Sequence, residues 1–370
     1  MTDQNITYPQ KRWHVVPGYL SGPLYDSILI FGVLFVALFS GAIVVARPEL
    51  FPVVFILDIW LLGYHHVIAT FTKLAGTPED RRENHFLIWY LPVIVLAGTI
   101  GLYFTLGIWA IVTVYFFWQW YHYTRQAYGI SVFYRKKSGL PKGATPDRLE
   151  HAALWAFPIW GLTHRCAQGW DQFLFQDFWT PSLPMEASAL VGSLAVIIVG
   201  MWIFTKIFDL RNGHLSFCSL AFMVSHHIVF FVGYILIGDI TIGWLVANVW
   251  HNAQYILFVW LFNQNRFAKD PESGAIADKT NSRRPRIMPW LSQPKPYRIL
   301  AYFAFCLVMT SVFYGSITSM MKLVSAGDMV LMTGLTVIAY QTINFHHYIV
   351  DAMIWKARKK SHQKIMKLKG

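Results

Sequence analysis

The segment AYQTINFHHYIVDAMIWK, residues 339–356, combines a long apolar run with a histidine pair and an aspartate. An apolar run of about 20 residues is long enough to cross a bilayer as a helix. The bilayer core holds no water, so polar side chains at that depth need partners inside the protein. The segment therefore predicts a membrane-spanning helix whose His346, His347 and Asp351 serve a site within a helix bundle.

Apolar runs of this kind recur along the whole chain. The 370 residues are 55% hydrophobic and 17% aromatic, which is too much apolar surface for an ordinary soluble domain. The runs are 24–46, 50–74, 86–104, 106–133, 187–208, 215–237, 242–263, 299–320 and 329–355, with a shorter and more polar one at 151–168. The sequence predicts an all-α, polytopic membrane helix bundle of about ten transmembrane helices, forming a single domain over residues 1–370.

The charge distribution predicts the orientation of this bundle. The formal charge is +12, and the basic residues lie in short segments between apolar runs rather than on one soluble face, which argues against a nucleic-acid partner. Lys and Arg accumulate in cytoplasmic loops. With ten spans and both chain ends inside, the only basic residues outside the inner segments are Arg47, Arg125, Arg165 and Lys322. We therefore expect a bacterial inner (plasma) membrane protein with segment 1–23, loop 264–298 and tail 356–370 in the cytoplasm.

Eight histidines inside the apolar runs predict a metal site. They are His65, His66, His122, His226, His227, His251, His346 and His347. Imidazole suits iron, copper, zinc and nickel, and facing helices of a bundle commonly hold metals between them. Successive helical residues point about 100° apart, so both members of a pair cannot face one ion in the same way. We expect His65, His122, His227, His251 and His347 as ligands or close neighbours, and the choice within each pair stays open.

Two intramembrane carboxylates accompany the histidines. Asp351 follows His347 by four residues and so shares its helix face, where it would ligate the metal or orient His347. The alternative is an ion pair between Asp351 and a basic residue of the tail. Asp58 precedes His65 by seven residues, roughly 10 Å along the helix axis. This separation predicts that Asp58 serves a neighbouring helix or a proton path, with a neutral hydrogen-bonded aspartate as the alternative.

Arg125 and Tyr255 are the predicted contacts to substrate or to a reaction intermediate. Arg125 lies on one side of its helix with His122, and Tyr255 follows His251 by four residues. A guanidinium can bind a carboxylate of substrate or protein. The alternative for Arg125 is that its side chain extends to the cytoplasmic interface.

The histidine pairs stand in GYHHV, VSHHI and NFHHY, on several helices and towards the cytoplasmic side. This pattern resembles the integral-membrane non-haem iron oxygenases, namely the desaturase and hydroxylase enzymes and the Brp/Blh carotenoid dioxygenases. The resemblance implies iron, dioxygen and a lipophilic substrate.

These observations together predict a metal-dependent oxidoreductase, a monooxygenase or hydroxylase with one or two iron ions. A lipid or other hydrophobic substrate would reach the site laterally between helices. The chain has no dinucleotide-binding glycine motif and no ferredoxin-type cysteine run, so electrons would come from a separate donor. Copper or zinc are the alternative metals. A b-type haem electron-transfer protein and a metal-ion or proton transporter are the alternative functions.

Overall fold

The computed structural model of the protein describes residues 15–140, 143–267, 287–293 and 295–368. Most of the predicted cytoplasmic segment 1–23 and of the basic loop 264–298, and the last two residues of the tail 356–370, lie outside the described residues.

The described chain folds almost entirely into helices, which confirms the predicted all-α class. The helices are α1 (Pro23–Ala46), α2 (Pro48–Leu74), α3 (Pro78–Glu83), α4 (Phe86–Leu106), α5 (Ile108–Ser138), α6 (Asp147–Gln168), α7 (Met185–Arg211), α8 (Phe217–Leu236), α9 (Ile240–Phe267), α10 (Ile287–Leu291), α11 (Pro296–Ser325), α12 (Met329–Ile354) and α13 (Lys360–Ile365). Four two-residue strands, β1 (Val15–Val16), β2 (Gln172–Phe173), β3 (Gln176–Asp177) and β4 (Leu215–Ser216), pair as parallel β1–β4 and antiparallel β2–β3.

Six helices of the described chain, α1, α2, α4, α7, α8 and α11, are long and apolar enough to cross a membrane. They are compatible with an integral membrane protein. The other long helices, α5, α6, α9 and α12, contain more polar side chains. Helix α9 is buried along nearly its whole length and packs against α1, α2 and α8. The polar residues of α9 therefore point into the bundle.

Both described ends of the chain lie at one end of the bundle. Strand β1 pairs with β4, which lies between α7 and α8. Gly18 lies beside Ser138 at the end of α5, and the neighbouring Lys137 donates from Nζ to the Met366 carbonyl at 3.0 Å. We call this the basic end, because α5 ends here with Arg135, Lys136 and Lys137.

The interface between α6 and α8 depends on a proline. Pro158 lies inside α6 and has no N–H, so the Leu154 carbonyl one turn earlier loses its helical donor. His226 of α8 donates from Nε2 to that carbonyl at 2.8 Å. The neighbouring His227 places Nε2 3.0 Å from the Ala153 carbonyl. This histidine pair joins α8 to α6.

We predict that His226→Leu destabilises the protein by about 1–3 kcal/mol, because the Leu154 carbonyl is then buried without a donor. Adding Pro158→Ala restores a backbone N–H to that carbonyl, so the double variant should lose less stability than the sum of the single variants. The free energy of unfolding is measured in detergent for both single variants and for the double variant. Strictly additive losses would contradict this account of the interface.

Helix α13 is held at the basic end by a buried histidine. His362 is 2% exposed, its ring lies edge-on to Phe262 at 5.2 Å, and its Nδ1 lies 3.2 Å from the Lys356 carbonyl. Burial, with the nearby charges of Lys73 and Lys359, lowers the pKa of His362 to about 4. The folded protein therefore favours the neutral ring.

Because the folded pKa of His362 lies below the ordinary value of 6.5, its stabilising effect is complete above pH 6.5 and declines as the pH falls towards 4. We expect α13 to lose hydrogen-exchange protection over this interval. In His362→Leu this pH-dependent loss of protection should disappear. Unchanged protection of α13 in the wild-type protein from pH 7 to pH 4 would show that His362 does not control this contact.

Candidate metal centre

Four histidines from four helices meet in the interior of the bundle, together with one aspartate. We call these residues the central site: His66 of α2, His122 of α5, His251 of α9, and His347 and Asp351 of α12. All five side chains are buried. His347 and Asp351 are four residues apart on one helix, so both face the same point.

Three separations between ligand atoms of the central site are short enough for both atoms to bind one ion. His66 Nε2 and His347 Nε2 are 3.0 Å apart, and Asp351 Oδ2 lies 3.4 Å from His347 Nε2 and 3.8 Å from His122 Nε2. Two atoms that ligate one ion at about 2.1 Å are at most about 4.2 Å apart.

The potential ligands form two overlapping groups, His66–His251–His347 and His122–His347–Asp351, each with ligand atoms within 4.8 Å of one another. Nε2 of His347 faces both His66 and Asp351. A shared nitrogen binds one ion only, so the two groups describe one centre.

Several imidazole nitrogens of the central site have no hydrogen-bond partner in the part of the chain that the structure describes. They are Nδ1 of His66, Nε2 of His122 and both ring nitrogens of His251. A buried polar atom without a partner costs about 1–3 kcal/mol, and a bound cation would accept the lone pair of His122 Nε2 and of one ring nitrogen of His251, since a neutral imidazole has a single lone-pair nitrogen. The donor set therefore fits a metal ion.

A hydrogen-bond network fixes the orientation of His347. The Tyr255 hydroxyl donates to Asp351 Oδ1 at 2.6 Å and accepts from Trp355 Nε1 at 2.9 Å. Thr70 Oγ1 lies 2.8 Å from the Tyr255 oxygen and 3.1 Å from His347 Nδ1. Because the Tyr255 proton is directed to the carboxylate, the Thr70 proton goes to the Tyr255 oxygen or to the His66 carbonyl at 3.3 Å, and the Thr70 oxygen accepts from His347 Nδ1–H. The lone pair of His347 Nε2 then points into the central site, as metal-binding histidines require.

A second polar chain lies behind His251. Asp58 accepts on Oδ2 from Asn248 Nδ2 at 2.5 Å, and the Tyr123 hydroxyl donates to Asn248 Oδ1. The Tyr123 ring stacks on His251 with 4.2 Å between ring centres. Asp58 thus contacts the neighbouring helix α9, and its hydrogen-bond chain leads to the residue that packs on His251.

The first histidine pair is divided between two sides of α2. A π-helical turn, Ile59–Gly63, precedes the pair and adds one residue to the helical repeat. Asp58 therefore aligns with His66, eight residues later, and not with His65. His66 faces the central site, whereas the His65 ring contacts Phe303 of α11 edge-on at 5.4 Å. The structure thus does not bring His65 to the central site.

Of the other two histidine pairs, only His347 belongs to the central site. His346 lies 2.7 Å from the Leu87 carbonyl through its Nε2 and points to α4. Leu87 lies in a π-helical turn, where its donor would be the N–H five residues later, at Pro92, which has none. His226 and His227 both contact carbonyls of α6, as described above. The structure places all three outside the central site.

A cleft of about 760 Å³ between α5 and α12 reaches the central site. His122, Tyr255 and Asp351 lie on its lining. Arg125 is exposed and also lines the cleft, with its guanidinium 5.1 Å from the centre of the Tyr128 ring. The two predicted substrate contacts, Arg125 and Tyr255, therefore border the same space.

Three residues of the site were not predicted from the sequence. Thr70 follows His66 by four residues and Trp355 follows Asp351 by four, so helical spacing alone could have indicated both. The stacking of Tyr123 on His251 depends on how α5 packs against α9, and no local pattern signals it.

We predict that His66→Ala and His347→Ala each lower bound metal at least tenfold, because each removes a ligand, whereas His65→Ala and His346→Ala retain it. The neighbouring histidines are matched controls on the same helices. Elemental analysis of detergent-purified protein measures the result. Equal metal content in His66→Ala and His65→Ala would contradict this assignment.

No protein-family model, curated protein or solved structure matches the chain. The chemistry of the central site therefore has to support any functional conclusion.

Proposed function

We propose that the protein is an integral-membrane, non-haem iron oxidoreductase that oxygenates a lipophilic substrate at the central site. The observation that supports this is the donor set His122, His347 and Asp351, buried beside an open cleft. Two histidines and one carboxylate are the ligand set typical of non-haem iron oxygenases. Imidazoles from His66 and His251 complete the surroundings of the ion.

Iron bound here would supply the activation of dioxygen. We infer a single ion, because His347 Nε2 belongs to both groups of potential ligands. One oxygen atom would enter a C–H bond of the substrate, and the other would leave as water with two electrons from a separate donor and two protons.

The surrounding side chains hold the ligands in position. Thr70 holds the Nδ1 proton of His347, and Tyr255 holds Oδ1 of Asp351. Oδ2 of Asp351 is therefore left to face His122 and His347. Tyr255 also lines the cleft, so its hydroxyl can pass a proton between the cleft and Asp351.

The cleft would admit the substrate laterally from the membrane. Trp118, Phe133, Phe258 and Ile349 on its lining exclude water from the central site. The proposed orientation, with both chain ends in the cytoplasm of a bacterium, places the basic end where a soluble electron donor could reach it.

Contacts among the imidazoles argue against a b-type haem at the central site. The ring centres of His66 and His347 are 4.6 Å apart, and those of His122 and His251 are 4.8 Å apart. A porphyrin does not fit between rings in direct contact. Copper and zinc remain outcomes of metal analysis, and no contact of the described residues favours a transporter over an oxygenase.

The direct test uses protein loaded with ferrous iron in nanodiscs of total bacterial lipid, with ascorbate as reductant and ¹⁸O₂. We expect ¹⁸O in the lipid fraction, and none with His347→Ala. Zinc or copper as the bound metal in the purified protein, or equal ¹⁸O incorporation by the metal-free protein, would overturn the proposal.

Gly129 offers a test that leaves the metal ligands unchanged. It lies in α5 on the cleft, and a Cβ added there meets no atom within 4 Å. We predict that Gly129→Trp fills the cleft and lowers ¹⁸O incorporation at least tenfold while bound metal and thermal stability stay at wild-type levels. Gly129→Ala, which leaves the cleft open, should retain full incorporation. Undiminished incorporation by Gly129→Trp would mean that the substrate reaches the central site by another route.

A further inference from the structure

The cleft has a positively charged rim at the basic end of the bundle. Lys136 of α5 lines the cleft there, and Lys356 and Arg358, just after α12, line the facing side. We call these three residues the basic rim. Lys356 and Arg358 are exposed, and Lys136 is half-buried.

The basic rim has no carboxylate partner among the described residues, unlike other basic residues at the same end. Arg135 pairs with Asp147 at 3.5 Å, Lys206 with Glu150 at 2.8 Å, and Arg266 with Asp80 at 2.9 Å. No such pair forms at Lys136, Lys356 or Arg358 in the described ranges. Among the residues that the structure describes, Asp351 of the central site is the only acidic one that lines the cleft.

The polarity of the cleft changes along its length. Lys136 lies fourteen residues after His122 on α5, about 21 Å along the axis at 1.5 Å per residue. The lining between them includes Ile130, Val132 and Phe133, and Phe258 lies on the side of α9. The cleft thus has positive charge at its mouth and a mainly apolar lining further in, where Arg125 adds one guanidinium close to His122 and the central site.

We propose that the cleft binds an anionic membrane lipid, with its head group on the basic rim and its chain along the apolar walls. Guanidinium and ammonium groups bind phosphate oxygens through charge-assisted hydrogen bonds. The chain is then laid against the wall that leads to His122 and Tyr255. This places a substrate carbon beside the central site, and that catalytic consequence rests on the proposed function, whereas the binding itself does not.

The test uses phosphatidic acid with a photoactivatable group in its acyl chain, incorporated into nanodiscs with the full chain. A phosphatidylcholine with the same chain is the neutral probe. We expect phosphatidic acid to label residues 118–133 and 348–355, with at least tenfold less labelling by phosphatidylcholine. Equal labelling by both lipids, or labelling confined to other segments, would overturn the proposal.

A charge-reversal pair tests the rim itself. Each basic residue near a membrane surface contributes about a fivefold gain in affinity for anionic lipid. The double variant Lys356→Glu/Arg358→Glu should therefore lower labelling by phosphatidic acid about 25-fold or more. The matched control Arg211→Glu/Lys364→Glu changes two exposed basic residues outside the cleft by the same total charge and should label as the wild type does. An equal loss in both variants would show a general surface attraction and reject the rim as a binding site.

Two further measurements separate this inference from neighbouring ones. Inorganic phosphate at millimolar concentration should not compete with the lipid, and full competition would mean that the rim is a phosphate site rather than a lipid site.

The metal-deficient His347→Ala variant should label normally with phosphatidic acid, because His347 does not line the cleft. If labelling fails while ¹⁸O enters neutral lipids, the inference is wrong and the proposed function stands. If the wild-type protein labels normally with phosphatidic acid but binds no metal and incorporates no ¹⁸O, the lipid site stands and the proposed function is wrong.

Discussion

The structure depends on the requirement that every buried imidazole find a partner inside a bundle without water. His226 and His346 meet it at carbonyls that prolines have left without donors, at Leu154 and Leu87. His251 has no partner on either ring nitrogen among the described residues. His226 and His346 thus join helices through backbone carbonyls, whereas a second kind of buried histidine lies with its ring against other imidazoles. The second kind defines the central site.

Identical dipeptides have different roles because neighbouring helices decide what each face meets. In the pairs of α2 and α12, the second histidine of each turns inward, so that His66 and His347 come within 3.0 Å. Their neighbours His65 and His346 pack outward on α11 and α4. The pair of α8 faces α6 and never approaches the centre. In α2 and α12, the histidine pair therefore gives one helix both an inward potential ligand and an outward packing contact.

The sequence predicted which segments form helices, but not how each helix is rotated about its axis. Apolar runs of bilayer length predicted every long helix, and the polar run at 151–168 lies within α6, because length and composition constrain such segments strongly. Helical spacing also placed Asp351 beside His347. It could not choose between His65 and His66, since the π-helical turn at 59–63 shifts the phase of α2 by one residue. Pairing of His226 with a carbonyl freed on another helix is a long-range contact, which local patterns do not encode.

The last turn of α12 and the residues just after it border two features of the protein, the central site and the mouth of the cleft. Asp351 faces the central site, Trp355 donates to the tyrosine that holds it, and Lys356 and Arg358 border the cleft mouth. Only seven positions along the chain separate Asp351 from Arg358. A substitution that reorients this backbone would therefore change the charge at the mouth of the cleft and the position of a potential ligand at the same time.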